Sequence, residues 1–327
     1  MEMSPALLNA LEKSLADWPV KSLAEAVPKL SDRYRSGDPA RNGTFTESLR
    51  DVAAYAAYRL PATYAAVSSA LHAVFERRLD FTPHSLLDVG SGPGTGMWAA
   101  LDVWPDIETI TLLERDRHMA SWGQALAASS PTPALSQAHW HAIDITRSWR
   151  ENPSDLVMAS YVLGELPESR QVPLVAALWE HTLEVLVLIE PGTPEGFKRI
   201  RKVRQTLIDR GANVVAPCPH QGTCPSDWCH FSERVARSRI HRQAKGASLA
   251  YEDEKFAYVA LSRTPARPIA GRVVRHPEIG KGHIKLDLCT PTGLTKRVVT
   301  RMDREAFRAA RHLVWGNVFP PDPSPPS

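Results

Sequence analysis

Ser85-Leu86-Leu87-Asp88-Val89-Gly90-Ser91-Gly92-Pro93-Gly94-Thr95-Gly96 decides the reading of the fold. Leu86 and Leu87 close a buried strand, the glycines make a tight turn, and Met97-Trp98-Ala99-Ala100-Leu101 opens a helix. A strand that runs through glycines into a helix lets a ligand approach bare backbone, where unpaired N–H groups point outward. The dinucleotide fingerprint G-x-G-x-x-G needs a third glycine, and counting from Gly90 and Gly92 puts Thr95 there. The next strand, Thr109-Ile110-Thr111-Leu112-Leu113, ends at Glu114, about 20 residues beyond the loop, where an acid can take both hydroxyls of a ribose. Strand, loop, helix, strand and acid in that order point to a nucleoside cofactor rather than a structural turn.

Strands and helices keep alternating after Glu114. His139–Ile143 is a short strand ending at Asp144, Ser154–Ser160 is a fourth, and Leu183–Ile189 is a fifth, ended by Glu190-Pro191-Gly192-Thr193. That alternation predicts a parallel sheet with helices on both faces. The acid before the first glycine makes the loop D-x-G-x-G-x-G, which resembles the S-adenosylmethionine loop of class I (Rossmann-like) methyltransferases. In that fold the loop nears the methionine end of the cofactor, an aspartate at the position of Asp144 reaches the adenine amine, and the segment from Tyr161 faces the transferred methyl. The resemblance therefore implies a cofactor set of Asp88, Gly90, Ser91, Gly92, Gly94, Glu114, Asp144 and Tyr161, with an ordinary turn aspartate as the other reading of Asp144. Asn213–Ala216 and Phe256–Leu261 read as strands six and seven, which that fold pairs as an antiparallel hairpin. About 40 residues separate them here, far more than hairpin loops contain.

The flanks complete the organisation. Residues 1–80 read as helices, with breaks at loop residues and at Pro61; Tyr55, Tyr58 and Tyr64 fall at helical spacing and read as packing residues before a base-stacking platform. The methyltransferase-like region is expected over 81–264, with a cysteine-rich metal-binding insertion at 217–246. A small β-rich extension over 265–319 follows, then a proline-rich disordered tail, 320–327.

Length and composition suit a soluble globular chain of about two domains, and no apolar run nears the roughly 18 residues of a membrane span. The first residues resemble neither a signal peptide nor an Arg-rich transit peptide, so a cytoplasmic protein is expected; a monomer without a membrane partner is a separate expectation. Net charge is only +3, but residues 198–245 carry 11 Lys or Arg against three acids. Lys198, Arg199, Arg201, Lys202, Arg234, Arg237, Arg239 and Arg242 are thus candidate contacts to a polyanion such as RNA, with a solvated helix face as the alternative.

Three of the four cysteines lie in Pro217-Cys218-Pro219-His220-Gln221-Gly222-Thr223-Cys224-Pro225-Ser226-Asp227-Trp228-Cys229-His230-Phe231, among loop-forming residues. Strand alternation puts Ile284, Leu286 and Leu288 on one face and Cys289 on the other, free to meet the loop. Four thiolates can hold tetrahedral zinc or an iron–sulfur cluster. The spacing C-x5-C-x4-C matches neither a zinc ribbon nor a ferredoxin run, so unliganded buried thiols remain open, with His220 and His230 as lesser ligand candidates.

Taken together, these residues resemble one family, the methyltransferase-like proteins of the mitochondrial small ribosomal subunit and their bacterial relatives. The likeness rests on Leu30-Ser31-Asp32-Arg33-Tyr34-Arg35, Tyr58-Arg59-Leu60-Pro61-Ala62-Thr63-Tyr64, the glycine loop, Glu190-Pro191-Gly192-Thr193, Cys218-Pro219-His220 and Trp228-Cys229-His230-Phe231. It implies a 4Fe–4S cluster on Cys218, Cys224, Cys229 and Cys289, a fold that binds S-adenosylmethionine, and a role in small-subunit assembly with ribosomal RNA and ribosomal proteins. A catalytic residue is not identifiable. Ser160-Tyr161-Val162-Leu163 stands where amine methyltransferases carry Asn/Asp-Pro-Pro-Tyr/Phe, no cysteine follows strand four, and Tyr161 and Glu165 are the polar candidates. The leading expectation is an RNA-binding, cofactor-binding assembly protein. An active RNA methyltransferase, or a methyltransferase for proteins or small molecules with a structural zinc, are the alternatives.

Overall fold

The computed structural model describes residues 3–36, 45–245 and 248–319. The tail expected to be disordered, 320–327, lies outside the described residues.

Four helices lead: α1 (Pro5–Leu15), α2 (Val20–Ser36), α3 (Leu49–Tyr58) and α4 (Leu60–Arg77). Ser48 caps α3 by accepting from the Asp51 N–H, and Pro61 sits in the first turn of α4, where its missing N–H costs nothing. Then come β1 (Ser85–Val89), α5 (Thr95–Val103), β2 (Thr109–Leu113), α6 (Arg117–Ala128), α7 (Pro133–Ser136), β3 (His139–His141) and β4 (Ser154–Ser160). They are followed by α8 (Glu168–Glu180), β5 (Thr182–Pro191), α9 (Pro194–Ile208), β6 (Asn213–Ala216), β7 (Phe231–Ala236), α10 (Arg239–Lys245) and β8 (Tyr251–Ser262). The extension supplies β9 (Gly271–Val273), β10 (Glu278–Ile279), β11 (His283–Thr290), β12 (Gly293–Thr300), α11 (Arg304–Ala310) and β13 (Val318–Phe319).

The main sheet runs β3-β2-β1-β4-β5-β8-β6, with β1 to β5 parallel and β8 antiparallel to both its neighbours. With β8 counted as the seventh core strand the order is 3-2-1-4-5-7-6, the class I methyltransferase sheet. Both faces are buried, as parallel strands require. Leu86, Met158, Val185 and Val187 pack with the N-terminal helices, while Leu87, Val157, Leu186 and Leu188 pack with Leu174, Phe197 and Val203 of α8 and α9. The N-terminal helices thus share one core with the sheet.

The insertion between β6 and β8 differs from a loop. Its second half forms β7, which pairs with Tyr251–Phe256 and makes β8 a strand of 12 residues rather than the six expected. A second sheet, β10-β11-β9-β13 with β12 against β11, packs Ile284, Leu286 and Leu288 toward α11. None of the described helices is long and apolar enough to cross a membrane.

Candidate functional site

The glycine turn is tied to the end of β2, since the Gly90 and Ser91 N–H groups donate to the Leu113 carbonyl at 2.8 and 3.2 Å. Gly90 has φ 71°, and a Cβ there would lie 2.4 Å from the Val162 side chain. Gly92 has φ 55°, but its Cβ position opens onto empty space. That space is a cavity of about 1100 Å³ at the C-terminal ends of β1, β2 and β4. Asp88, Gly90, Ser91, Gly92, Glu114, Asp144 and Tyr161 line it together; Gly94 does not, and instead holds the left-handed N-terminal position of α5.

Glu114 is already engaged. Its two oxygens accept from the Gly92 and Asp116 N–H groups, each at 2.7 Å, leaving further lone pairs toward the cavity. Asp144 accepts from the Thr146 N–H at 3.0 Å and hydroxyl at 2.7 Å, so it is a turn aspartate that also borders the cavity. These bonds hold its carboxyl below the usual range. Burial, and then Glu114, pushes the Asp88 carboxyl up to about 7. Burial, then Glu114 and Glu190, pushes Glu165 up to about 8 even though its side chain opens on the cavity. Four hydroxyls on the wall, those of Ser91, Thr95, Thr63 and Ser160, are buried with no hydrogen-bond partner. Unpaired donors and crowded carboxylates make an environment suited to a polar, positively charged ligand. S-adenosylmethionine, a sulfonium with a ribose and an amine, fits that donor set.

Tyr161 is the one non-glycine with positive φ (63°) among the described residues, a strained state for a bulky side chain. Its hydroxyl donates to Glu254 Oε1 at 2.9 Å, and Arg59 grips the same carboxylate at 2.8 and 2.9 Å while lying 4.6 Å over the Tyr161 ring. Burial works against the Arg59 charge, but Glu254 outweighs it and raises the guanidinium's pKa. Sequence reasoning missed this cluster. Arg59 and Glu254 are 195 residues apart, and only the Tyr58-Arg59-Leu60-Pro61 stretch hinted at it.

Cys218, Cys224, Cys229 and Cys289 line a second cavity of about 390 Å³. Burial raises the Cys218 and Cys229 thiols and pushes Cys289 up to about 12. Among the described residues no three Cys, His, Asp or Glu side chains are close enough to grip one metal ion. All four thiols border this one cavity, and tetrahedral zinc with bonds of about 2.3 Å would draw their sulfurs to roughly 3.8 Å apart. Neither histidine lines it. His220 bonds the Gly222 carbonyl at 3.2 Å, and His230 lies against Trp228 and Trp315, its pKa pressed down to about 4 by burial and then by Arg275. Trp228 also donates to the Gly192 carbonyl at 3.0 Å and borders the larger cavity, so one loop serves both.

The basic residues of 198–245 are divided between two sides of the sheet. α9 packs on the Leu186–Leu188 face of the sheet, whereas α10 lies on α2 and α3, on the opposite side. Arg199 is committed to the fully buried Glu190 at 2.6 Å, and Arg237 to Glu252 at 2.9 Å. Lys202 pairs with Glu168 and Arg234 with Asp253 on the surface. Lys198, Arg201, Arg239 and Arg242 are exposed and have no carboxylate partner among the described residues.

Residues 49–320 match the family described as mitochondrial small ribosomal subunit Rsm22. The human ribosome assembly protein METTL17, mitochondrial, is 28% identical over 309 residues, 87% of this chain and 66% of that protein. A mitochondrial Rsm22-cox11 tandem protein of Schizosaccharomyces pombe is 25% identical over 341 residues, covering 84% of this chain and 44% of its own. The chain thus spans between about half and two thirds of these relatives. In solved structures, it is similar to the magnesium protoporphyrin IX methyltransferase of Synechocystis PCC 6803 (TM-score 0.42, 13% identity, 72% of this chain and 91% of that one). It is similar too to the N-methyltransferase NodS of Bradyrhizobium japonicum (TM-score 0.41, 10% identity, 72% and 97%). The fold rests on the strand order and not on these superpositions. The cytoplasmic placement expected from the first residues is corrected here, because the matched family and the relatives are mitochondrial. With 272 consecutive residues in that match, from 49 to 320, the chain belongs to the mitochondrial small ribosomal subunit Rsm22 family.

Proposed function

We propose that this chain binds S-adenosylmethionine in the larger cavity and a metal group on the four cysteines, and serves assembly of the small ribosomal subunit on its RNA. The observation that carries the reading is the cavity floored by the glycine turn, with four unpartnered hydroxyls and an acidic wall, in a chain of the Rsm22 family. Gly90, Ser91, Gly92 and Asp88 hold the methionine end, Glu114 the ribose and Asp144 the adenine side. Bound there, S-adenosylmethionine would supply an electrophilic methyl group. The polar groups nearest that methyl satisfy one another: Tyr161 and Arg59 both spend themselves on Glu254, which leaves none of the three poised as a base. Glu165, the other polar candidate, lines the same cavity with its carboxyl pushed up to about 8, so methyl transfer would have to draw on that group; in the leading reading the cofactor is a structural ligand. The four cysteines at one cavity, in a chain of this family, are read as the ligands of a 4Fe–4S cluster, with zinc as the alternative. Lys198, Arg201, Arg239 and Arg242 supply phosphate contacts. Regions 1–80 and 81–264, joined through one core, work together with the insertion at 217–246, and 265–319 is a unit with its own small core.

The first test is calorimetric titration with S-adenosylmethionine, together with iron, sulfide and zinc analysis of protein purified without oxygen. Binding of one cofactor, and about four irons with four sulfides per chain, supports the reading; no cofactor binding and no metal defeats it. One zinc without sulfide leaves a structural clip in place of the cluster. A second reading, an active RNA methyltransferase, draws on Glu165, whose raised carboxyl opens on the same cavity where a base would be needed. Label transfer from methyl-labelled cofactor to small-subunit RNA, abolished by Gly92→Asp, decides for it.

A further inference from the structure

A guanidinium taken out of water without an anion beside it is costly, because carbonyl oxygens replace only part of its hydration. Two arginines at the thiol cavity are in that position. Arg204 is 3% exposed; its Nη2 donates to the His220 carbonyl at 2.7 Å, and its Nε has no hydrogen-bond partner. Arg272 is 1% exposed; its Nε donates to the Pro217 carbonyl at 2.8 Å and its Nη1 to the Gly316 carbonyl at 2.7 Å, while Nη2 has no partner. Arg272 lines the cavity, and Arg204 lies against the Cys218 thiol. The one carboxylate within ion-pair range of either, among the described residues, is Glu76, 3.8 Å from Arg272 on a half-exposed side chain. Arg77, also buried, adds a third positive charge close to Arg272 and Cys218.

With all four thiols protonated, this pocket gathers cations and lacks an anion to match them. With four thiolates on a core of charge +2, whether a 4Fe–4S cluster or zinc, the group carries −2 and two guanidiniums balance it. The orphan N–H groups are then charge-assisted donors to sulfur. We infer that Arg204 and Arg272 are the charge-compensating positioning residues of an anionic thiolate-bound metal group in this cavity. The inference rests on the reading of the four cysteines given under the proposed function.

The test uses the full chain, loaded anaerobically and also stripped with a chelator. Arg272→Met and Arg204→Met are compared with Arg272→Lys and Arg204→Lys, which keep the charge. The loaded Met variants should lose metal about tenfold or more faster to the chelator, with the Lys variants between them and wild type. An iron–sulfur centre should show a more negative midpoint potential in the Met variants, because an added electron loses a nearby positive charge. The stripped Met variants should unfold at the same temperature as stripped wild type or higher, since a buried uncompensated cation has been removed. Equal metal retention in all variants overturns the inference. So does an equal loss of stability in loaded and stripped forms, which would make the arginines carbonyl clips and nothing more. Wild type that takes up no metal overturns the cysteine reading itself, a result separate from either.

Discussion

Arg199→Met separates a phosphate-binding arginine from a structural one. Glu190 is fully buried at the end of β5 and accepts from the Arg199 Nε at 2.6 Å and from the Leu163 and Gly164 N–H groups at 3.0 and 3.4 Å. Removing the cation leaves a carboxylate in the interior with two neutral donors. Breaking a buried pair from one side costs about 3–5 kcal/mol, and because the Arg199 side chain is 23% exposed, about 3 kcal/mol is the better figure. For a chain of 327 residues that lowers Tm by roughly 4–5 °C. Lys202→Met on the same helix breaks a pair exposed at both ends, where water screens the charges, and should leave stability close to wild type. The assay is urea unfolding of both variants, of Glu190→Gln and of the double variant Glu190→Gln/Arg199→Met, which should recover much of the loss because no uncompensated charge remains. If Arg199→Met stays within about 0.5 kcal/mol of wild type, or the two substitutions simply add, the pair is not the structural element described and Arg199 returns to the surface charge.

Other outcomes follow from the same geometry. Gly92→Asp adds a Cβ into open space at φ 55° and should cost only about 1 kcal/mol of stability, yet abolish calorimetric binding of S-adenosylmethionine. Gly96→Ala should instead unfold the protein more easily, by about 1–3 kcal/mol, since its Cβ would stand 2.5 Å from both Asp88 Oδ2 and the Met158 side chain. Asp88, raised to about 7 when folded, is protonated more readily in the native than in the unfolded chain, so its contribution is full below about pH 4 and is lost as pH rises toward 7. That decline should be on the order of 2–4 kcal/mol and should vanish in Asp88→Asn; identical pH profiles would refute it. Cys289→Ser should drop the bound metal of anaerobically purified protein to a small fraction of wild type, measured by elemental analysis.

Much of this was legible in the chain. The glycine turn could be read because every part of it is local: apolar strand, three left-handed glycines and the acid 22 residues beyond Gly92. The core strands could be read because continuous apolar runs such as Leu183–Ile189 have few other uses. The insertion was harder. Phe231–Ala236 alternates charged and apolar side chains weakly and becomes a strand because it lies against Tyr251–Phe256, pairing Arg234 with Asp253 in register. The charge cluster divides for a related reason. Eleven basic residues within one stretch look like a patch, but β6 and β7 intervene and carry α9 and α10 to opposite sides of the sheet. Which of those charges are spoken for depends on acids such as Glu190 and Glu252, whose partners only the folded chain brings near. The Arg59–Glu254–Tyr161 cluster joins three distant segments, and nothing local encodes such an encounter.

The long strand β8 has a consequence of its own. Its first half pairs with β7 and its second half lies between β5 and β6, so a single run of backbone carries Glu254 at the larger cavity and Tyr258 close to Cys218 at the smaller. Amide protons along it are released when that run parts from its neighbours, and Tyr251–Lys255, paired with β7 alone, opens at lower cost than the buried half held against β5 and β6. Hydrogen exchange should therefore register an occupant of the larger cavity first around Glu254, and an occupant of the smaller one in the slower amides around Tyr258. One strand would report on both cavities, on two separate clocks.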